Sequence, residues 1–238
     1  DLQPERGIVH LDPDTAFGPH TLKAALRAAG AGILATELVL AGKVRNAFCA
    51  VRPPGHHAER LQAMGFCFFN NIAVAARHAI EVLGLSRVAI IDFDVHHGNG
   101  TENIFASDPR VLMVGFFQHP LFPYSGLQAL APHLINVALP AGSTGERMRA
   151  VFEAVWLPAL LAHQPEMIFV SAGFDAHHED EMASLGLVDA DFAWISQRIR
   201  SFADTHCAGR IVSMLEGGYN LEALGRCVAL HLAALSSA

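Results

Sequence analysis

The sequence lacks any apolar stretch long enough to span a bilayer. Segments such as Ile33 to Ala41 fall well short of the ~20 residues a membrane helix needs. Charge is scarce at 16% of residues, which argues against long disordered regions. Basic residues are the minority, 16 against 23 acidic, for a net charge of −7, so the basic footprint of direct nucleic-acid binding is missing. Cysteine is limited to Cys49, Cys67, Cys207 and Cys227, scattered in apolar segments and without zinc-finger spacing. That pattern predicts buried free thiols and a reducing, cytoplasmic setting. The opening Asp1 to Arg6 has no basic region followed by an apolar core, so no secretory leader is expected. What the chain does have is 52% hydrophobic residues, enough for one compact domain over residues 1–238, and 14 histidines, an unusual number that directs attention to clusters.

Short apolar runs of strand length alternate with helical patterns. Asn46 to Val51, Arg87 to Phe93, Val111 to Phe117, Ile135 to Leu139, Met167 to Ala172 and Arg210 to Leu215 are predicted strands. Asn70 to Leu83, Glu146 to Ala162 (with Pro158 a kink), Asp189 to Thr205 and Leu221 to Leu235 are predicted helices. Strands apolar throughout and separated by helices predict an α/β fold: an open, mainly parallel sheet covered on both faces. Four strands are followed by polar or glycine-rich segments: PPGHH, DVHHGNG, GFDAHHED and EGGYN. In such sheets the ligand crevice lies beyond the carboxyl ends of the strands, so the four segments can converge there.

Asp94 and His96 are two apart, which on an extended chain points both to one side. Asp175, just past another strand, supplies a third donor. Two carboxylates and an imidazole suit Zn²⁺ or Fe²⁺, and three protein ligands leave a position for water and substrate. His56 and His57 follow Pro53-Pro54-Gly55, a constrained turn, and two imidazoles beside a metal-activated water can act as base and acid near neutral pH. Asp92 and Asn99 are their candidate orienting acceptors. Gly217 and Gly218 allow close backbone approach and place the Tyr219 phenol where it can donate to a carbonyl oxygen. His177 and His178, in an acidic run, read as exposed rim.

Together RPPGHHAE (Arg52–Glu59), GFCFFNN (Gly65–Asn71), DFDVHHGNGT (Asp92–Thr101), SAGFDAHHED (Ser171–Asp180) and EGGYN (Glu216–Asn220) resemble the histone deacetylase family, including its bacterial deacetylase and acetylpolyamine amidohydrolase branches. Asn99 in the HHGNG turn looks more like the class II branch. The resemblance implies an arginase/deacetylase-like fold and a zinc-dependent hydrolase that removes an acetyl or other acyl group from lysine. It implies one zinc on Asp94, His96 and Asp175, and pairs His56 with Asp92 and His57 with Asn99. It gives Tyr219 the acetyl carbonyl, and makes Phe66, Phe122 and Met182 channel walls. Gly65 would offer its carbonyl to the substrate amide, and Gly218 would line the site. One potassium ion is implied around Asp92, Asp94 and His96 and a second around Phe105, Asp108 and Val111.

The chain departs from the family pattern at its start, where a first strand and basic rim loop are usual, and near Asp12 and Asp14, which stand close to where the family has a substrate-binding acid. Partners implied are an acetylated lysine peptide or protein, or an acetylated small amine whose cations Glu179, Asp180 or Glu181 could face. A non-catalytic zinc-holding acyl-lysine binder is the alternative from another class. The intact His56, His57 and Tyr219 weigh against it, because a binder needs no proton-transfer groups. A binuclear arginase-like site would need D-x-H-x-D, and here His96 is followed by His97-Gly98.

Overall fold

The computed structural model describes residues 4–236. The segment Asp1 to Gln3, part of the stretch read for a secretory leader, lies outside the described residues. Two short strands, β1 (Val9–Asp12) and β2 (Thr15–Phe17), form an antiparallel hairpin. The main sheet has six strands: β3 (Asn46–Cys49), β4 (Val88–Asp92), β5 (Val111–Gln118), β6 (Leu134–Leu139), β7 (Ile168–Ala172) and β8 (Ile211–Leu215). Their order is β3-β8-β7-β4-β5-β6, and every pairing is parallel.

Alternation along each strand explains why both faces are covered. In β4, Ala89 and Ile91 point into one apolar cluster while Val88 and Ile90 point into the other. The first cluster packs under α6 (Asp189–His206) and α7 (Leu221–Ser236), with Phe192, Ile195, Ile199 and Cys227. The second packs under α1 (Thr21–Leu40) and α2 (Asn71–Glu81), with Ala35, Val39, Ile72 and Ala76. Asn70 caps α2 by accepting from the Ala73 N–H at 3.0 Å, as its place before an apolar run predicts. All four cysteines are free and buried, and among the described residues no helix is long and apolar enough to cross a membrane.

Four features differ from the sequence reading. The helix α1 was legible only as an apolar stretch. A short α3 (Asn99–Phe105) follows the HHG turn directly. The predicted helix from Glu146 to Ala162 is α4 (Gly145–Val151) and α5 (Leu157–His163) joined by a π-turn over Phe152–Trp156. The helix runs unbroken through the π-turn into Pro158, which has no N–H to give to the preceding turn, so the irregularity lies directly before the proline that was expected to kink this helix.

Buried His231 joins α7 to α6 and β8. Ser196 Oγ donates to the Phe192 carbonyl, so it accepts from His231 Nδ1 (2.7 Å), and Nε2 accepts from Ser213 Oγ (2.9 Å). Burial pulls the pKa of His231 down to about 4. The unfolded chain therefore takes up a proton below about 6.5 that the folded chain refuses until about 4, so this group lowers stability as pH falls through that window. Between pH 7.5 and 5 the native protein is expected to lose about 2 kcal/mol more than His231→Gln in urea unfolding. Equal pH slopes for the two proteins would refute this.

Candidate metal and proton-transfer site

Four strands that are neighbours in the sheet, β3, β8, β7 and β4, end in the four polar segments. His56 and His57 follow β3, Tyr219 follows β8, Asp175 follows β7, and Asp94 and His96 follow β4. Asp94 to His96 lie in bends beyond the strand, so alternation along an extended chain is not what brings them together. The bend does it instead: Asp94 Oδ1 accepts from the His96 N–H at 2.8 Å, folding the imidazole back onto the carboxylate.

The three sets of ligand atoms on Asp94, His96 and Asp175 lie within 4.8 Å of one another, all buried. His96 Nδ1 faces Asp94 Oδ1 at 3.0 Å and Asp175 Oδ2 at 3.2 Å. The second approach is close but misaligned, and Asp175 Oδ2 is left buried without a hydrogen bond. Asp175 Oδ1, by contrast, accepts from the Val95 N–H at 2.9 Å. Burial and the nearby Asp94 charge push the Asp175 carboxyl up to about 6. Burial opposes charge on His96 too, but the Asp175 and Asp94 carboxylates facing Nδ1 win and raise it to about 10. Space for the carboxylates exists because two neighbours are glycines. A Cβ at Gly173 would overlap Asp94 Oδ2, and one at Gly217 would overlap Asp175 Oδ2. An orphaned buried oxygen, crowded carboxylates and a mixed oxygen–nitrogen donor set fit a divalent metal.

The two histidines are 4.1 Å apart between ring centres and have different surroundings. His56 Nδ1 bonds Asp92 Oδ2 at 3.0 Å, and its Nε2 lies 3.8 Å from Asp94 Oδ1. Burial disfavours its charge, yet the Asp94 and Asp92 carboxylates outweigh burial and hold its pKa well above the usual value. His57 Nδ1 meets Asn99 Oδ1 at 2.8 Å. Asn99 is oriented in turn by Glu59, whose Oε1 accepts from Asn99 Nδ2 at 2.7 Å. The amide oxygen therefore faces His57, which places the proton on Nδ1 and leaves Nε2 with its lone pair. Burial and the His56 charge keep the His57 pKa well below normal. A Cβ at Gly65 (φ +57°) would strike the His57 ring.

Around this centre, Phe122 stands edge-on to His57 with ring centres 5.1 Å apart, and Phe66 lies 6.1 Å from Tyr219. Met182 and Tyr219 border a surface pocket of about 460 Å³ with Glu181, Asn220, Leu221 and Glu222. The Gly65 carbonyl accepts from the Cys67 thiol at 3.2 Å, leaving one lone pair, and Gly218 (φ +137°) makes the turn into Tyr219. Burial pushes the Tyr219 phenol far above its ordinary pKa, so it stays a donor. Two of the three residues named for a second potassium ion, Phe105 and Asp108, have their oxygens engaged by protein donors. The Phe105 carbonyl accepts from Asp108 N–H and His133 Nε2, and the Asp108 carboxylate takes Arg77 and Arg110. The Val111 N–H donates to the Asp108 carbonyl.

Two readings need correction. His177 is buried, not rim, with Nε2 bonded to Asp189 at 2.9 Å, while His178 is exposed as expected. His177 Nδ1 accepts from the Glu179 N–H, so Nε2 carries the proton toward Asp189, which also pairs with Arg226. His177, Asp189 and Cys227 lie close together but are thereby committed to hydrogen bonding, not to a metal. Asp180 is buried as well. Its carboxylate accepts from the Tyr219 N–H (2.6 Å), the Asn220 N–H (3.0 Å) and the Met182 N–H (3.0 Å), pinning the tyrosine turn. Asp14 accepts from the Gly65 N–H at 3.2 Å, so it supports the Phe66 turn. The supports Glu59 and Glu216 had no role in the sequence reading, and Asp180 was read only as a carboxylate that could face an amine, although all three sit inside the quoted motifs.

The family model described as Histone deacetylase domain matches residues 2–235. The chain is 42% identical over 227 residues to Histone deacetylase 14, chloroplastic, of Arabidopsis thaliana, covering 90% of this chain and 53% of that protein. It is 40% identical over 217 residues to the histone deacetylase-like amidohydrolase of Pseudomonas aeruginosa, covering 88% of this chain and 57% of that one. The crystal structure of the HDA15 HD domain superposes with a TM-score of 0.88 at 33% identity, covering 96% of this chain and 66% of that chain. The chain thus spans about half the length of the curated relatives it matches. The plant relative's chloroplast designation shows that buried free thiols do not by themselves fix a cytoplasmic compartment. With near-complete coverage by the domain and identities of this size, the chain belongs to the histone deacetylase family.

Proposed function

We propose that this chain is a zinc-dependent amidohydrolase that removes the acetyl group from the ε-amine of acetyl-lysine. The carrying observation is the His57 ring, held through Nδ1 by Asn99 Oδ1 at 2.8 Å, beside a buried Asp94–His96–Asp175 cluster that holds an orphaned carboxylate oxygen. Bound to that cluster, zinc would supply Lewis-acid polarisation of the acetyl oxygen and a water acidic enough to attack at neutral pH. His57 Nε2 takes the proton of the attacking water, because Asn99 holds its other nitrogen protonated. His56, kept charged by Asp92 and Asp94, is the donor to the leaving amine. The Tyr219 hydroxyl donates to the oxygen that gains charge. Phe122 and Phe66 exclude water and flank the aliphatic stem of the lysine.

A small acetylated amine is the second reading. Glu179 pairs with Arg226 and Asp180 serves the backbone, but Glu181 and Glu222 border the pocket beside Tyr219 and could meet a cation. Zinc-loaded protein is expected to release acetate from an N-acetyl-lysine peptide, with an N-acetylated polyamine assayed beside it. Preference for the polyamine would favour the second reading. Release from neither, with one zinc bound per chain, would favour a non-catalytic binder.

A further inference from the structure

Glu216 is fully buried at the end of β8, and its whole hydrogen-bonding capacity faces the histidine turn and its floor. Its Oε2 accepts from the Gly55 N–H at 2.7 Å and from the His56 N–H at 3.2 Å. Its Oε1 accepts from Ser171 Oγ on β7 at 3.1 Å, which fixes the rotation of the carboxylate. Its backbone carbonyl accepts from Arg52 Nη1 at 3.2 Å, at the other end of the same turn. Its own N–H donates to the Ala172 carbonyl at 3.0 Å, and the next N–H, of Gly217, donates to Asp94 Oδ2 at 2.8 Å. One residue therefore ties the turn that carries both histidines to the strand end that carries the metal-competent cluster. The Gly55 and His56 N–H groups have no ladder to join, since β3 ends at Cys49, and a buried N–H without a partner is costly.

We infer that Glu216 is the positioning residue that sets the distance and orientation of His56 and His57 relative to Asp94 and Asp175, through the reach of its carboxylate oxygens. This rests on the amidohydrolase reading for its effect on turnover, but not for its effect on the histidine rings themselves. Two substitutions separate reach from charge. Glu216→Gln keeps the length and an oxygen that can accept both N–H groups, and its amide can donate to Ser171 Oγ. Glu216→Asp keeps the charge but withdraws the oxygens by one methylene, about 1.5 Å.

Both variants are compared with the native chain by thermal unfolding, zinc stoichiometry, steady-state kinetics and the ¹⁵N signals of the His56 and His57 ring nitrogens. Misplacing a catalytic group by about 1 Å can cost about 10²-fold in rate. Glu216→Asp is therefore expected to lower kcat by about 10–100-fold with KM nearly unchanged and to shift the ring signals. Glu216→Gln is expected to restore most of that loss and to keep ring signals close to native. Glu216→Asp matching or exceeding Glu216→Gln would overturn the inference, as would two native-like variants. Should the native protein release no acetate, the ring signals alone decide: the same order of the two variants supports the positioning role although the proposed reaction has failed.

Discussion

Asp175→Asn is expected to abolish stoichiometric zinc binding and acetate release while leaving the metal-free protein as stable as the native one, or more so. The two effects have opposite signs and a common origin. Asp175 Oδ2 is buried beside Asp94 without an aligned hydrogen bond, and His96 Nδ1 at 3.2 Å offsets its burial only in part, since the carboxyl is still pushed up to about 6; in the absence of a cation it is therefore a liability to the fold. Asparagine keeps Oδ1 to accept from Val95 and removes a charge from a crowded pocket. It is a poor replacement for an anionic ligand, and loss of a first-sphere donor should exceed the roughly 10–100-fold in affinity that loss of an outer-sphere partner costs. Melting curves with and without zinc test both halves. Zinc should raise the melting temperature of the native chain and leave the variant unmoved, in line with mass action on the folded state. A variant that binds zinc as the native chain does would remove Asp175 from the ligand set. A metal-free variant several degrees less stable would show that the oxygen has a structural partner.

His57→Ala is expected to lower kcat by about 10²–10⁴-fold, the range for loss of a positioned general base, with one zinc still bound and KM little changed. The ring touches no metal-competent atom in the role assigned to it. Its Nδ1 is committed to Asn99, and what remains is one lone pair on a buried ring. His56 is a poor substitute for it, since the Asp94 and Asp92 carboxylates raise the pKa of that ring and favour its charged form. Single-turnover measurements of acetate release separate this from slow product loss. A variant within threefold of native turnover would assign the base to another group.

The sheet was legible because buried parallel strands are apolar throughout, and Arg87 to Phe93 or Met167 to Ala172 are short, β-branched or aromatic runs followed by turn residues, which favours a strand over a buried helix. The metal-competent and proton-transfer residues were legible because each follows such a strand. The helix α1 was not, because its buried face is Ala25, Ala28, Ala29, Gly32, Ala35, Thr36 and Val39. Small residues give close packing, with Gly32 against Met214 and Ala75, but little hydrophobic contrast between faces. The burial of His177 was hidden for a different reason. The run HHEDE looks solvated, yet Asp189 and the Phe192 ring, both on α6, enclose the imidazole. Glu59, Asp180 and Glu216 were invisible as supports because their partners are backbone N–H groups and an amide brought near only by the fold.

The order β3-β8-β7-β4 has a consequence for how the chain comes together in time. Among the described residues β3 pairs only with β8, so the segment Asn46–Cys49 waits, unpaired, across residues 50–210. Closing so long a loop is entropically slow, and it leaves an apolar strand and its neighbours exposed meanwhile. The cluster on β4 and β7 can gather first, and the histidine turn is stitched beside it only when Ile211–Leu215 slots between β3 and β7. The three metal-competent residues, Asp94, His96 and Asp175, thus all precede Ile211–Leu215 in the chain, while the histidine turn gains its sheet partner only with it.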